Sequence, residues 1–368
     1  MAIACRVTLN TPSDSRHASI PISAWHVGGK LLSIYSDMKL TLDEVRWGVI
    51  GCGAVTEKKS APAFNKVEQS QLVAVMRRDA GKAQDYAVRH GVPKWYADAD
   101  VLIDDAEVNA IYVATPPSTH AEYAIKALRA DKPVYVEKPM ACNYAECLVM
   151  NHAASAAGLP LFVAYYRRSL PYFLQVKALV EAATVGTILA VNIRLTQSPR
   201  AADFNTDNLP WRVRPEIAGG GYFFDLACHT LDILDFILGP ISNAQGCCEN
   251  RGGLYDAEDT VAASFQFENG VIGSGFWSFV AAESSRADTV EIIGTKGSIR
   301  FSTFAFTPIV VDDGRTLNEY LPPNPENIQL HLIAAIVAEL RGLGRSPSNG
   351  ETAARTSWVM DRLVGNRN

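Results

Sequence analysis

Three ionisable residues of this sequence could carry out proton transfer. Asp225 and His229 are four residues apart, a spacing that places both side chains on one face of a helix. A carboxylate beside an imidazole can orient the ring and stabilise its protonated form, and an ordinary imidazole titrates near about 6.5. Lys138 follows an apolar run typical of a strand, and its ammonium could bond a substrate oxygen and share in proton transfer. From the residues alone, the alternative is a buried histidine held by an aspartate, with a surface lysine before a turn proline.

A glycine-rich turn follows the first apolar run, 46–50, and precedes a predicted helix at 56–66. In such a strand–turn–helix unit the first glycine permits the tight turn, and the second lets the backbone approach a pyrophosphate at the helix N-terminus. The third position of the motif is Thr56 rather than Gly or Ala, which leaves a plain turn as the alternative. Further strand–helix units downstream favour a dinucleotide site. The residues expected at the pyrophosphate are Gly51, Gly53, Ala54 and Val55.

The cofactor preference of such a site depends on the end of the second strand. An acidic residue there binds the ribose 2′-hydroxyl, whereas arginine accommodates a 2′-phosphate. Arg77 stands at this position, Arg78 follows it, and a guanidinium pairs with phosphate through two parallel hydrogen bonds. We therefore predict NADP(H) in preference to NAD(H). Two solvated arginines before a helix capped by Asp79 are the structural alternative, and both descriptions can hold together.

The composition excludes several classes of function. The chain has 368 residues, of which 48% are apolar and 20% charged, as expected for a folded protein of two or three domains. The formal charge of −5 offers no general phosphate-binding surface, so we predict no nucleic-acid partner. No apolar run has the roughly 18 residues of a membrane span, and no signal peptide is visible. We therefore predict no membrane association.

The cysteines indicate a cytoplasmic protein rather than a disulfide framework. There are seven, no two have the C-x-x-C spacing, and Cys247 and Cys248 are adjacent, which disfavours a bridge between them. No second cluster supplies metal ligands. Reduced cysteines in the cytosol, without a metal site, are the prediction.

The chain divides into three parts. Residues 1–43 are rich in Ser, Thr, Pro and Gly and lack a regular period, so we predict either a disordered extension or a translation start near Met38. Residues 44–166 alternate strand-like and helical runs, which is typical of βαβ units in a parallel sheet. The predicted strands lie at 46–50, 71–76, 110–114, 133–136 and 160–165, and the helices at 56–66, 80–90, 118–130 and 142–157.

Residues 167–368 predict an α+β domain built on a mainly antiparallel sheet. Alternating segments occur between 187 and 311, and Asn269-Gly270 is typical of a hairpin turn. Helices are predicted at 170–183, 219–238, 325–341 and 351–364. One sheet face is expected to be free of helices, so exposed aromatic residues there could drive formation of a homodimer or homotetramer. The aromatic residues on these strands are Phe265, Phe267, Phe276, Trp277 and Phe279, and the alternative is that all of them face the core.

Four segments together resemble the glucose–fructose oxidoreductase, inositol dehydrogenase and rhizopine-catabolism (Gfo/Idh/MocA) family. They are Gly48–Thr56, Ala114–His120, Glu137-Lys138-Pro139 and Gly219–His229, in matching order and spacing. The glycine pair is common, but the Glu-Lys-Pro triplet followed by Asp-x-x-x-His after three glycines is quite specific. The resemblance implies a Rossmann nucleotide-binding domain and an open-faced antiparallel sheet domain. It also implies NAD(P)-dependent oxidation or reduction of sugars, polyols and related cyclic compounds.

The resemblance further implies roles for individual residues. The residues matched to the catalytic positions are Lys138, Asp225 and His229. The residues matched to the nicotinamide side of the cofactor site are Thr115, Pro116, His120, Glu137 and Lys138. The peptide bond between Lys138 and Pro139 is expected to be cis, as in relatives. For the loop at Thr115 to His120, an ordinary helix start is the alternative.

Candidate substrate contacts follow from the same resemblance. Relatives often have Asn or His near Tyr166 with an arginine next, so Arg167 is a candidate, while Tyr166 departs from the pattern and leaves the substrate class open. The aromatic face of Trp211 suits a sugar ring and the guanidinium of Arg212 suits hydroxyls; a packed tryptophan and a surface arginine are the alternative. The same substrate is expected to contact Lys138, Asp225 and His229.

These observations predict an NADP(H)-dependent oxidoreductase acting on a carbohydrate, polyol or anhydro-sugar. Lys138 and His229 would handle the proton, and Asp225 would orient His229. A dehydrogenase of dihydrodiols or other cyclic alcohols is the nearest alternative. A regulatory protein that senses the dinucleotide without turnover is a further one, and the joint presence of the three residues argues against it because sensing needs no proton relay.

Overall fold

The first sheet is the parallel sheet that the alternating pattern predicts. The computed structural model describes residues 40–365. The strands of this sheet are β1 (Val45–Ile50), β2 (Ser70–Met76), β3 (Lys94–Tyr96), β4 (Ala110–Val113), β5 (Val134–Val136) and β6 (Leu161–Val163). They are parallel and lie in the order β3-β2-β1-β4-β5-β6. Every residue of β4 and β5 is buried, as expected for the centre of a sheet with helices on both faces.

The helices around this sheet are shorter than predicted at one important place. They are α1 (Ala54–Lys58), α2 (Ala61–Phe64), α3 (Ala80–His90), α4 (Ala99–Asp104), α5 (His120–Arg129) and α6 (Tyr144–Ala157). The prediction of one helix over 56–66 is wrong, because Pro62 lacks an N–H and its ring clashes with the preceding turn, so the chain restarts as α2. The three-residue strand β3 and the helix α4 were not predicted, since each is too short to show a period.

The second sheet is mainly antiparallel, as expected. Its strands are β7 (Ile188–Thr196), β8 (Ile241–Glu249), β9 (Thr260–Phe267), β10 (Ile272–Ser278), β11 (Ala287–Gly294), β12 (Ser298–Phe301), β13 (Ile309–Asp312) and β14 (Leu317–Tyr320). They lie in the order β14-β13-β12-β11-β7-β10-β9-β8, and the pair of β7 and β10 is parallel. The predicted hairpin joins β9 to β10, with Gly270 at φ +89°.

The helices of the second part confirm the predictions except around residue 219. They are α7 (Pro171–Glu181), α8 (Pro215–Ala218), α9 (Cys228–Leu238), α10 (Leu330–Leu340) and α11 (Gly350–Val364). Instead of one helix over 219–238, Gly219 ends α8 at φ +77°, and a π-helical turn, Phe223–Ala227, precedes α9. A Cβ at Gly219 would lie 2.3 Å from the carbonyl oxygen of Cys142, so this approach requires glycine.

The aromatic residues of the second sheet do not form the exposed face considered above. Four of the five are buried: Phe265, Phe267, Trp277 and Phe279. Phe276, with 41% of its surface exposed, stands on the other face with Ile272. Alternation along β10 explains the division, because neighbouring residues of a strand point to opposite faces. The exposed face therefore carries one of the predicted aromatic residues.

Both ends of the described chain pack on other elements. Leu42 N donates to Leu340 O at 2.8 Å, and Arg341 Nε donates to Asp43 O at 3.2 Å, so residues 40–43 lie along the end of α10. Helix α11 packs against α6 of the first part and against α9 and β8 of the second. The rest of the predicted extension at 1–43, with Met38 and Cys5, lies outside the described residues.

Candidate active site

The candidate residues gather where the order of the first sheet reverses. Strands β2 and β3 extend from one side of β1, and β4, β5 and β6 from the other. In open parallel sheets ligands bind in the crevice at the carboxyl ends of the strands at this reversal. The glycine turn follows β1, the Thr115 loop follows β4, and Lys138 follows β5. The topology therefore brings all three predicted segments to one crevice.

The glycine turn is closely packed on one side and open on the other. Gly51 has φ +94°, and a Cβ there would lie 2.7 Å from Thr115 Cγ2. At Gly53 the nearest atom to an added Cβ is the Gly51 carbonyl oxygen at 3.9 Å, so the turn presents open backbone there. The amides of Ala54 and Val55 begin α1, and the first N–H groups of a helix have no acceptor within it. This cradle fits a pyrophosphate, although α1 has only five residues and so contributes little dipole.

Arg77, the residue predicted to bind a 2′-phosphate, lies against the glycine turn. Its Nη1 donates to Cys52 O at 3.3 Å, and both Gly51 N and Cys52 N donate to Met76 O. The guanidinium is half-buried and has further N–H donors available for a ligand. Arg78 is exposed. The structural alternative holds as well, because the Asp79 side chain accepts from Lys82 N at 3.1 Å and caps α3.

His120 supports the loop after β4 from behind. Its ring is fully buried; Nε2 lies 2.7 Å from Thr115 O, and Nδ1 lies 3.0 Å from Pro139 O. Burial lowers the pKa of His120, and these carbonyls oppose that shift. Such a ring has no face for a cofactor, which corrects the expectation of a direct contact. His120 instead fixes the distance between the loops after β4 and β5, while Thr115 and Pro116, both half-buried, remain at the crevice.

Glu137 is likewise a support rather than an open ligand. Its buried carboxylate accepts from Tyr112 Oη at 2.6 Å and from Gln329 Nε2 at 2.7 Å, and Lys138 N donates to it at 3.2 Å. Tyr135 Oη donates to Gln329 Oε1 at 2.7 Å and closes the network. A buried carboxylate with this many donors is firmly held. The network fixes the backbone from which the Lys138 side chain extends.

Sequence reasoning missed Gln329, because its partner Glu137 lies 192 residues away and no local pattern marks the pair. Replacing Gln329 by leucine is expected to lower the free energy of unfolding by about 2 kcal/mol, since two buried polar groups lose a partner. It is also expected to lower kcat, because the support of Lys138 is loosened. Urea unfolding and steady-state kinetics measure both effects.

Gln71→Leu is the matched control for that substitution. Gln71 also donates to a glutamate, Glu44, at 2.6 Å, but this pair is exposed. We expect its loss to change the free energy of unfolding by less than about 0.5 kcal/mol. Equal effects of the two substitutions would contradict the positioning role of Gln329.

Lys138 and Asp225 form a direct ion pair across the crevice. The Lys138–Pro139 peptide bond is cis, as expected. Lys138 Nζ lies 2.6 Å from Asp225 Oδ1 and 2.8 Å from Asp225 O, and each of the two side chains keeps 14% of its surface exposed. A substrate can therefore reach both groups from the crevice. Arg212 Nε lies 3.3 Å from Asp225 Oδ2, so one carboxylate holds two cations.

This pairing fixes the charge states of both groups. Burial acts to lower the pKa of Lys138, but Asp225 raises it above its ordinary value. Burial acts to raise the pKa of Asp225, but Lys138, followed by Arg212 and Arg200, lowers it. At neutral pH the site therefore contains an ammonium paired with a carboxylate.

His229 is not oriented by Asp225, which corrects the expected dyad. The Asp225 carboxylate is taken by Lys138 and Arg212, whereas His229 Nδ1 is buried and has no hydrogen-bond partner in the described part of the chain. The rings around it belong to Tyr165, Tyr166 and Phe304. The π-helical turn that contains Asp225 explains the error, because its wider turn breaks the four-residue spacing that puts two side chains on one face.

The environment keeps the imidazole of His229 neutral. Burial lowers its pKa well below the ordinary value, and Arg167, Lys138 and Lys59 lower it further. The unfolded chain, with a pKa near about 6.5, then binds more protons than the folded one. The resulting stability is present above about pH 6.5 and is lost as the pH falls toward the folded pKa.

We expect the free energy of unfolding of the natural protein to fall between pH 7 and pH 5 more steeply than that of His229→Asn, by up to about 1.4 kcal/mol per pH unit. Urea unfolding at a series of pH values measures the difference. His152→Asn, at an exposed position on α6, is the control and should follow the natural protein. Parallel curves for His229→Asn and the natural protein would refute the neutral, buried histidine.

Two of the other predicted substrate residues, Trp211 and Arg212, lie beside Asp225. The Arg212 guanidinium lies over the Trp211 ring, 4.4 Å from its centroid, so the cation covers one face of the ring and also pairs with Asp225. Arg167 is buried, and its Nε donates to Thr303 O at 3.0 Å. Its neighbour Arg168 is structural, since it donates to Asp232 and Asp235 at 2.8 to 3.2 Å.

Comparison with known proteins establishes the family. Residues 45–165 match the Oxidoreductase family, NAD-binding Rossmann fold, and residues 173–300 match the GFO/IDH/MocA C-terminal domain. This chain belongs to the Gfo/Idh/MocA family of oxidoreductases. The family resemblance and the fold class are thereby confirmed. In the described residues no helix is long and apolar enough to cross a membrane, and no three His, Cys, Asp or Glu side chains lie together as metal ligands.

Members of the family match nearly the whole described chain. Oxidoreductase P35 from Formosa agariphila is 39% identical over 323 residues, which cover 87% of this chain and 98% of that protein. A 1,5-anhydro-D-fructose reductase from Ensifer adhaerens is 27% identical and covers 83% of this chain and 91% of its own length. The solved structure of a levoglucosan dehydrogenase with NADH and levoglucosan has a TM-score of 0.76 at 25% identity, covering 87% of this chain and 96% of that one.

Proposed function

We propose that this protein is an NADP(H)-dependent oxidoreductase that transfers a hydride between the nicotinamide and a hydroxyl or carbonyl carbon of a sugar, polyol or anhydro-sugar. The observation that carries the proposal is the Lys138–Asp225 ion pair, 2.6 Å long and open to the crevice at the carboxyl end of β5. A mobile proton beside the place where parallel sheets bind dinucleotides is what reduction of a carbonyl needs.

The chain's own residues would hold the cofactor as follows. The backbone of Gly51, Gly53, Ala54 and Val55, at the start of α1, would face the pyrophosphate, and Arg77, beside this turn, would pair with the 2′-phosphate. When bound, the nicotinamide supplies or accepts the hydride. NADP(H) rather than NAD(H) is favoured because no acidic side chain follows β2 before Asp79, which is used as a helix cap.

Lys138 would act on the substrate oxygen. In carbonyl reduction the carbon receives a hydride while the oxygen takes the proton from Lys138 Nζ, so that a hydroxyl forms and the amine is left neutral. Asp225 holds the ammonium in place and stabilises its charge before the transfer. His229, kept neutral, offers a hydrogen bond to a second oxygen of the substrate. Alcohol oxidation follows the reverse sequence.

The substrate class is supported by the shape of the site and by the relatives. The Trp211 ring and the Arg212 guanidinium stacked on it lie beside Asp225 and offer apolar surface together with hydrogen-bond donors, a combination that suits a ring bearing several hydroxyls. Of the relatives described above, one is a 1,5-anhydro-D-fructose reductase and another is a levoglucosan dehydrogenase whose structure contains levoglucosan. We therefore favour an anhydro-sugar or a related carbohydrate over a non-sugar cyclic alcohol.

Two further proposals concern the cellular location and the oligomeric state of the enzyme. We propose a cytoplasmic location, supported by cysteines that form no disulfide with one another in the described residues. We also propose a homodimer or homotetramer, supported by the face of the second sheet on which Ile272 and Phe276 are exposed. Sedimentation of the purified chain tests the second proposal.

The function is tested by following nicotinamide absorbance with NADP⁺ and NAD⁺ separately, against aldoses, inositols, anhydro-sugars and cyclic dihydrodiols. Turnover of a carbohydrate, faster with NADP⁺, is the expected result. Turnover confined to a cyclic dihydrodiol would replace the carbohydrate assignment. Tight NADPH binding with no turnover on any compound would favour a dinucleotide sensor instead.

A further inference from the structure

Arg167 is a buried cation for which the described residues provide no acid. The side chain is 3% exposed, its Nε donates to Thr303 O at 3.0 Å, and its Nη1 is buried with no hydrogen-bond partner there. Its neighbour Arg168 is equally buried, but its charge is neutralised by two carboxylates, those of Asp232 and Asp235. A buried guanidinium without such a partner is costly. The cost indicates that Arg167 is held ready for a group absent from the chain.

Arg167 lies beside two aromatic rings that also flank His229. Its guanidinium lies 5.0 Å from the ring centroid of Tyr166 and 4.7 Å from that of Phe304, and both rings contact the His229 ring. Phe304 is half-buried and lies on the loop between β12 and β13. Asp288, the carboxylate that holds this loop, is taken by the backbone amides of Thr303, Phe304 and Ala305.

The charges around His229 also indicate that Arg167 is not neutralised by a residue of the crevice. Arg167 and Lys138 both act on this imidazole as cations. The carboxylate in the site, Asp225, is already shared between Lys138 and Arg212. The other carboxylate beside Lys138, Glu137, accepts from Tyr112 and Gln329 and does not pair with Arg167. Neither carboxylate of the crevice therefore neutralises Arg167.

We propose that the substrate carries a carboxylate, as a uronic or aldonic acid does, and that Arg167 binds it while Lys138 acts on an oxygen of the same molecule. The inference rests on the proposed function, of which it narrows the substrate class. A planar carboxylate matches the edge of a guanidinium through two parallel hydrogen bonds, whereas a tetrahedral phosphate or sulfate is bulkier. The carboxylate would also supply the acid that the described residues do not give Arg167.

Binding to the full chain saturated with NADP⁺ tests the proposal by calorimetry. The probes are D-glucuronate against D-glucose, D-galacturonate against D-galactose, and D-glucose 6-phosphate. We expect at least one acid to bind about tenfold to a hundredfold more tightly than its neutral partner. Arg167→Gln should remove this preference, Arg167→Lys should retain part of it, and Arg300→Gln, an exposed cation on β12, should leave it unchanged.

The outcomes separate this inference from the proposed function. Equal binding of acids and neutral sugars overturns the inference, and turnover of either would still support the function. Preferred binding of an acid that depends on Arg167, without hydride transfer to any compound tested, supports an anion site at Arg167 but overturns its assignment to a substrate together with the proposed function. If the sugar phosphate binds more tightly than both acids, the assignment of a carboxylate as the group that Arg167 binds is overturned. If Arg167→Gln fails to melt cooperatively, the preference of the natural protein and its reduction in Arg167→Lys decide.

Discussion

Replacing Lys138 by alanine is expected to lower kcat about a hundredfold to ten-thousandfold while the Kd for NADPH changes by less than about threefold. The ammonium lies 2.6 Å from Asp225 and is the proton donor of the proposed reduction, so its loss removes the transfer itself. Asp225 keeps Arg212 as a partner at 3.3 Å, so the substitution does not leave a buried carboxylate without a cation. Stopped-flow absorbance measures hydride transfer, and NADPH fluorescence measures cofactor affinity.

Lys132→Ala is the matched control for this prediction. Lys132 precedes the same strand, β5, that Lys138 follows, and it donates to Asp105 O at 2.7 Å, far from the crevice end of the strand. We expect normal turnover from it. Equal losses of turnover and NADPH affinity in Lys138→Ala would instead indicate a cofactor-binding or folding role for Lys138.

Replacing Arg77 by aspartate is expected to weaken the binding of NADPH relative to the binding of NADH by about a hundredfold. The substitution removes a cation that lies 3.3 Å from Cys52 O, beside the glycine turn, and introduces a charge that repels a 2′-phosphate and can bond a 2′-hydroxyl. The ratio of the two dissociation constants is the measurement, because any general damage to the crevice cancels in it.

Arg78→Asp distinguishes a specific contact from general electrostatics. Arg78 is exposed, and it is adjacent to Arg77, so a smaller change in the ratio, about threefold to tenfold, is expected from it. A ratio unchanged in Arg77→Asp would refute the assignment of the 2′-phosphate. Equal changes in both variants would mean that the net charge of the loop, rather than one guanidinium, selects the cofactor.

The elements that could be predicted are those in which a local pattern repeats. The central strands β4 and β5 are continuous apolar runs, and α3 has an aspartate cap at its start and Gly91 at φ +64° at its end. Their positions follow from backbone and side-chain preferences within a dozen residues. The crevice follows too, because strand order and the carboxyl ends of strands are properties of the βαβ pattern.

The parts that could not be predicted depend on contacts distant in sequence. The π-helical turn before α9 carries no local signature, yet it moves Asp225 away from His229 and toward Lys138, 87 residues earlier in the chain. Types and spacing selected Lys138 and Asp225, which the structure brings together, but they assigned Asp225 the wrong partner. The role of Gln329 could not be predicted for the same reason, since its hydrogen bond to Glu137 forms only when the segment before α10 packs against the end of β5.

The segment before α10 also limits how this enzyme can be divided. Asn327 Nδ2 donates to Lys58 O at 2.9 Å, and Gln329 closes the network around Glu137, so residues near the end of the chain complete the interior of its first half. A fragment ending near residue 166 would expose Tyr135 and leave Glu137 short of a donor. A chimaera of two family members should therefore exchange the first half together with α10 and α11, because a single crossover would separate side chains that share one interior.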